Sequence, residues 1–225
     1  MCIRDRSNLG VDEFLATVLE FLPSPADAKP AEMFDIEANP SASLAALVFK
    51  TTADPFVGKL SIFRVYQGTI KSNSEVWNSN QEQSDRIGQL YLPRGKSQEN
   101  VTQITAGDIG AIGKLSATIT GDTLSIRDNP ITIPAIEFPN GFYSVAVSPA
   151  TKADLDKMST TMSRITEEDP SLQFSRDPGT GESILTGLGE AQIDVALDRI
   201  RRKFGADLKS KLPRVAYRET ITQIT

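Results

Sequence analysis

The 225-residue sequence has no histidine, one cysteine (Cys2) and one tryptophan. Without histidine it lacks the commonest general base and the commonest zinc ligand. A Ser-His-Asp, Cys-His or zinc mechanism is therefore excluded for this chain alone. One cysteine excludes an internal disulfide. No apolar run approaches the roughly 20 residues that span a bilayer. The N-terminus lacks an apolar core followed by a small-residue cleavage site, so no secretory signal is read. Two nucleotide-binding signatures are also missing, Gly-x-x-x-x-Gly-Lys-[Ser/Thr] and Asn-Lys-x-Asp. What remains is ordinary for a water-exposed globular chain, with 39% hydrophobic and 24% charged residues. The length suggests two small domains.

The net charge is −5, which argues against a generic nucleic-acid binder. That charge is unevenly spread. Residues 7–40 hold seven acids and one base (Lys29), whereas residues 199–218 hold eight bases and one acid (Asp207). A local basic surface can bind phosphate inside an acidic protein; the alternative is a solvated face.

The pattern is organised around residues 49–68. An apolar run from Leu44 to Phe49 reads as a buried strand, and Asp54-Pro55 as a turn. From Leu60 the residues alternate, with Ser61, Phe63 and Val65 on the face opposite Leu60, Ile62, Arg64 and Tyr66. Short apolar runs separated by turn clusters continue to Arg127, which predicts an antiparallel β-barrel. Gly107, Gly110 and Gly113 imitate a dinucleotide fingerprint, but no helix follows them, so they read as glycines in strands. Before this region, Val11, Phe14, Leu15, Val18, Leu19 and Leu22 form the stripe of an amphipathic helix stopped by Pro23.

Beyond the proline-marked stretch 129–139 the pattern turns to mixed α and β. Thr151 can cap a helix whose stripe is Leu155, Met158, Met162 and Ile165. A second stripe is Ile193, Ala196, Leu197, Ile200 and Phe204. With strands before, between and after these helices, the order is βαββαβ, a ferredoxin-like unit. Gly187-Leu188-Gly189-Glu190 could be mistaken for a phosphate loop. No lysine follows it, and Glu190 places negative charge where a phosphate would sit. The consecutive acids Glu167, Glu168 and Asp169 point apart at a helix end and make no metal site.

Several longer stretches carry a resemblance. Phe-Lys-x-x-x-Asp-Pro-Phe-Val-Gly-Lys-Leu from Phe49, followed by Phe-Arg-Val-Tyr-x-Gly, resembles the start of the second domain of elongation factor G. Ile184 to Gly205 and Pro213 to Ile221 resemble its third domain and the join to its fourth. Gln192 stands where that family commonly has histidine and Gln67 where it commonly has serine, which places the chain nearer the elongation-factor-G-like branch. Pattern and resemblance together predict six segments: an artefactual or disordered 1–6 that has no periodicity, a 7–40 stretch that the resemblance identifies as the last helix of a GTPase domain with a linker, a β-barrel at 41–128, a proline-marked linker at 129–139, a ferredoxin-like domain at 140–212, and at 213–225 what the resemblance implies is the start of a fourth domain.

The resemblance also implies a part of a cytoplasmic, monomeric translational GTPase that drives movement of tRNA and mRNA on the ribosome. GTP and magnesium would belong to the family's preceding domain and no catalytic or metal residue to this chain; no membrane partner is expected. The expected partners are the ribosome and that GTPase domain. Candidate ribosomal RNA contacts are Lys59, Arg64, Arg94, Lys96, Arg199, Arg202 and Lys203, and a candidate GTPase-facing turn holds Gly189, Glu190 and Gln192. Two rival readings are a ribosome-protection or release-type GTPase and a stand-alone RNA-binding module.

Overall fold

The computed structural model describes residues 8–25, 27, 36–54, 58–95 and 97–217. The chain divides into two compact units, one made of 1–48, 62–118 and 122–134 and the other of 49–61, 119–121 and 135–225.

The first unit is built almost wholly of strands. In chain order these are β1 (Ala45–Asp54), β2 (Gly58–Gln67), β3 (Thr69–Lys71), β4 (Glu75–Asn78), β5 (Gln83–Arg86), β6 (Leu90–Arg94), β7 (Ser97–Val101), β8 (Gln103–Thr105), β9 (Ile109–Gly113) and β10 (Thr123–Ser125), with the outer ends of β1 and β2 falling in the second unit. Eight of them form a barrel-like sheet in the order β5-β4-β10-β1-β2-β9-β6-β7, and β3 pairs with β8 separately. The alternation read in β2 is realised: Ser61, Phe63 and Val65 are fully buried, while Arg64 and Tyr66 are only part-buried. Phe63 and Val65 enter a core with Leu44, Ile70, Val76, Leu90, Ile112 and Leu124. Gly68 must be glycine. Its φ is +78° and a Cβ there would lie 2.7 Å from the Leu44 Cα, inside backbone that cannot yield.

This core also contains charge. Asp85 accepts hydrogen bonds from the Ser116 amide and hydroxyl (3.2 and 2.8 Å), the Ala117 amide (3.3 Å) and the Thr118 hydroxyl (2.8 Å). Burial pushes its carboxyl up, but these donors together outweigh burial and hold it below the usual carboxylate range. Asn78 extends the network, donating to Thr118 and Asp122.

The helix expected at 11–22 is present as α1 (Val11–Phe21), with Phe14, Leu15, Leu19 and Phe21 exposed. The expectation for residues 1–6 and the Pro55 half of the 54–55 turn lie outside the described residues.

The second unit is ferredoxin-like. Its elements are β11 (Tyr143–Pro149), α2 (Lys152–Glu168), β12 (Gln173–Arg176), β13 (Ser183–Gly187), α3 (Glu190–Phe204) and β14 (Leu208–Lys211). The sheet order is β12-β13-β11-β14, with every pair antiparallel. Val145, Met162, Ile165, Leu185, Ile193 and Ile200 form its core. Thr151 caps α2 as expected. Its hydroxyl accepts from the Asp154 amide, and the Asp154 carboxylate accepts from the Thr151 amide.

One residue of the α2 stripe departs from expectation: Leu155 is 59% exposed, and Asp154 faces inward instead. Capping explains this, since Asp154 must reach back to Thr151 and also accepts from the Asp207 amide at 3.2 Å. Among the described residues, no helix is long and apolar enough to cross a membrane.

Candidate functional site

The seven candidate cations are placed very unevenly. Helix α3 is punctuated by Gly205, whose φ of +63° closes it, and its last turn carries Arg201, Arg202 and Lys203 where the helix dipole is negative. Arg199, Arg202 and Lys203 line one open groove of about 460 Å³ together with Lys50, Thr51, Thr52 and Glu168, all within the second unit. Lys59 lies instead in a larger neighbouring cavity of about 920 Å³, with Glu167, Arg164 and Phe204. Arg64 and Arg94 belong to the first unit, and Lys96 lies outside the described residues.

Most of these charges are already engaged. The Lys59 Nζ is 3.5 Å from the Glu167 carboxylate, and Lys203 donates to Glu168. Arg202 pairs with Asp198 at 2.8 Å across one helical turn, and Arg94 with Glu99 at 3.4 Å. The Arg64 guanidinium sits 5.4 Å from the centre of the Tyr66 ring, a cation–π contact.

Glu168 is the organiser that sequence reading missed. Its side chain is only 6% exposed. One oxygen receives the Lys203 ammonium, the Ala53 amide and, at 3.4 Å, the Thr52 hydroxyl. A buried carboxylate is stable only when so satisfied. The consecutive acids do point apart, Glu167 to Lys59 and Glu168 to Lys203. Nothing in the local sequence says which strand Glu168 meets, because Ala53 lies 115 residues away.

The turn holding Gly189, Glu190 and Gln192 is a second polar cluster. Gln192 Oε1 accepts from the Leu188 amide at 2.6 Å, while its Nε2 donates to Asp169 at 2.9 Å and to Ser171 at 2.7 Å. One carboxamide thus ties the 167–171 turn to the start of α3. It fits only because Gly187 has no side chain: a Cβ there would come within 2.7 Å of Gln192 Oε1. Glu190 is exposed at the first position of α3. This turn does not fit a nucleotide phosphate, since Gln192 already occupies the Leu188 amide and Glu190 adds repulsion.

A third cluster gives no sign of itself in the sequence. Glu182 accepts from the Arg214 amide and Nε, both at 2.9 Å, and from the Lys211 ammonium at 2.7 Å. The Arg214 amide, the Lys211 ammonium and the Arg214 side chain hold its carboxyl down at about 2, against some desolvation. Acids and bases far apart in sequence carry no local signal of such a pairing.

Comparison with known proteins agrees with this architecture. Residues 43–126 match the family model described as elongation factor G domain 2, and residues 138–211 match that of elongation factor G, domain III. A crystal structure of a protein from Thermus thermophilus is similar over 92% of this chain, with 29% sequence identity and a TM-score of 0.75. The chain spans 30% of the length of that protein.

Proposed function

From the premise that this chain belongs to the elongation factor G family, with its second and third domains in order, we propose that it is part of a ribosome-associated translational GTPase. The observation that carries this reading is the succession of the two domain matches, 43–126 and 138–211. Each of these folds alone hosts many functions; their pairing in this order is what points to translation. The chain's own contribution is to contact the ribosome and to transmit movement between domains. GTP and magnesium belong to the family's nucleotide-binding domain. That assignment is supported by the missing phosphate-loop signature and by the chemistry of the Gly187–Glu190 turn.

Co-sedimentation of the chain with purified ribosomes across a salt series tests this. We expect binding at low salt that weakens steeply as salt rises, because phosphate contacts release counterions. Absence of sedimentation at the lowest salt overturns the reading. In a parallel equilibrium dialysis with labelled GTP and magnesium, the chain alone should retain no nucleotide. Saturable micromolar binding would move the chemistry into this chain.

A further inference from the structure

The groove in the second unit contains cations in two different states. Lys203 is spoken for, its ammonium held by the nearly buried Glu168. Arg202 shares Asp198 with Arg201 on the exposed side of α3. Lys50 and Arg199 differ: among the described residues neither side chain makes a hydrogen bond or an ion pair, and both are exposed. One comes from strand β1 and the other from helix α3, 149 positions apart in the numbering, yet they line the same opening.

We propose that Lys50 and Arg199 seat two phosphates of an RNA backbone in this groove. This rests on the reading of the chain as ribosome-associated and deepens it by assigning the contact to these two residues. Of the α3 cations first suspected, Lys203 becomes the organiser of Glu168 and not a phosphate ligand.

The chemistry selects the ligand. An arginine fork meets phosphate oxygens bidentately, and a lysine meets them as a point charge. The groove is open and polar, so it suits a chain that runs through it better than a small molecule that must be enclosed. Within a protein of net charge −5, a local patch with uncommitted cations is also where a polyanion is steered. An acidic peptide would meet the same charges. RNA is favoured because its regularly spaced phosphates offer one full charge per nucleotide to each cation.

The test is fluorescence anisotropy of a labelled 12-nucleotide oligouridine titrated with the full chain between about 50 and 200 mM salt, where single-strand binding loses about 0.7 in log–log slope per phosphate neutralised. Lys50→Ala and Arg199→Ala should each reduce the slope by about 0.7, and the double variant by about 1.4. Arg201→Ala removes the same charge from the same helix outside the groove and should leave the slope unchanged. Circular dichroism melts should superimpose for all variants, because the altered side chains are exposed. The proposal is overturned by a double variant that keeps the parental slope, by an Arg201 effect of equal size, by failure of the parent chain to bind the oligonucleotide, or by an oligoglutamate peptide that competes as well as RNA. The ribosome sedimentation described above separates the two claims. If the chain sediments with ribosomes and the double variant does so with the same salt slope, the family reading stands and the Lys50–Arg199 seat falls.

Discussion

Asp85 in the first unit and Glu168 and Glu182 in the second are buried carboxylates held by opposite means, although Asp154 in the second unit is, like Asp85, held by neutral donors. In the barrel-like unit Asp85 is surrounded by neutral donors, two backbone amides and two hydroxyls contributed by the short stretch 116–118. In the ferredoxin-like unit Glu168 and Glu182 are satisfied by cations together with backbone amides, drawn from distant parts of the chain. Neutral donors hold their geometry irrespective of salt, and they lock one loop to one strand. Ion pairs are adjustable and partly solvent-screened, and they tie together elements that meet only in the fold. Asp85 thus fixes one loop to one strand in the first unit, whereas Glu168 and Glu182 make electrostatic joints in the second.

The largest effect expected from breaking this contrast is at Asp85. Asp85→Ala strands four donors at once, and should destabilise the first unit by about 3–5 kcal/mol. Trp77, in β4 and the chain's only tryptophan, reports that unit's urea transition by fluorescence. A midpoint shift below that of an ordinary surface substitution would mean the network does not hold the barrel.

Two glycines sharpen the comparison next. Gly68→Ala meets backbone at 2.7–2.9 Å in a left-handed conformation, and should cost about 3 kcal/mol in the same assay. Gly187→Ala meets side chains, the Gln192 carboxamide at 2.7 Å and Leu172 and Ile193 at 3.0 and 3.1 Å. These can move, so the expected cost is about 1–2 kcal/mol, read from the helical dichroism signal. Equal costs at the two sites would show that the Gln192 cluster is as unyielding as backbone.

The smallest effect is read from an acid titration. Glu182 has a folded-state pKa lowered to about 2 from 4.5. The stability it contributes is present above about 4.5 and is lost as the pH falls toward 2. Glu182→Gln should therefore lower the stability of the second unit at neutral pH and flatten its pH dependence within that window, so that variant and parent converge as the pH falls toward 2. Hydrogen exchange of the Arg214 amide, which donates to Glu182, follows it directly. An unaltered acid profile in the variant would dismiss the clamp.

Much of the architecture is legible in the chain. The alternation in β2, the Thr151–Asp154 cap, the stop at Pro23 and the order of strands and helices in the second unit all follow from spacing within one element, where neighbours in sequence are neighbours in space. Leu155 is the exception. Periodicity alone places it on the buried face, and the capping bond that turns Asp154 inward outweighs one exposed leucine. The candidate cations are visible as a charge run, but not their states. Whether Lys203 or Arg199 is engaged depends on Glu168, which lies 35 residues from Lys203.

By itself, then, the amino-acid order determined the elements, their sequence along the chain and the family they resemble, because helix and strand periodicities, caps and turn residues act over a few positions. Only the tertiary structure decided which charges are spent and which are free. A carboxylate chooses its partners by proximity in space, and a buried one must collect enough donors to offset its lost hydration. Glu168 therefore takes Lys203 and the Ala53 amide from distant parts of the chain, while among the described residues the side chains of Lys50 and Arg199, exposed beside them, have no partner.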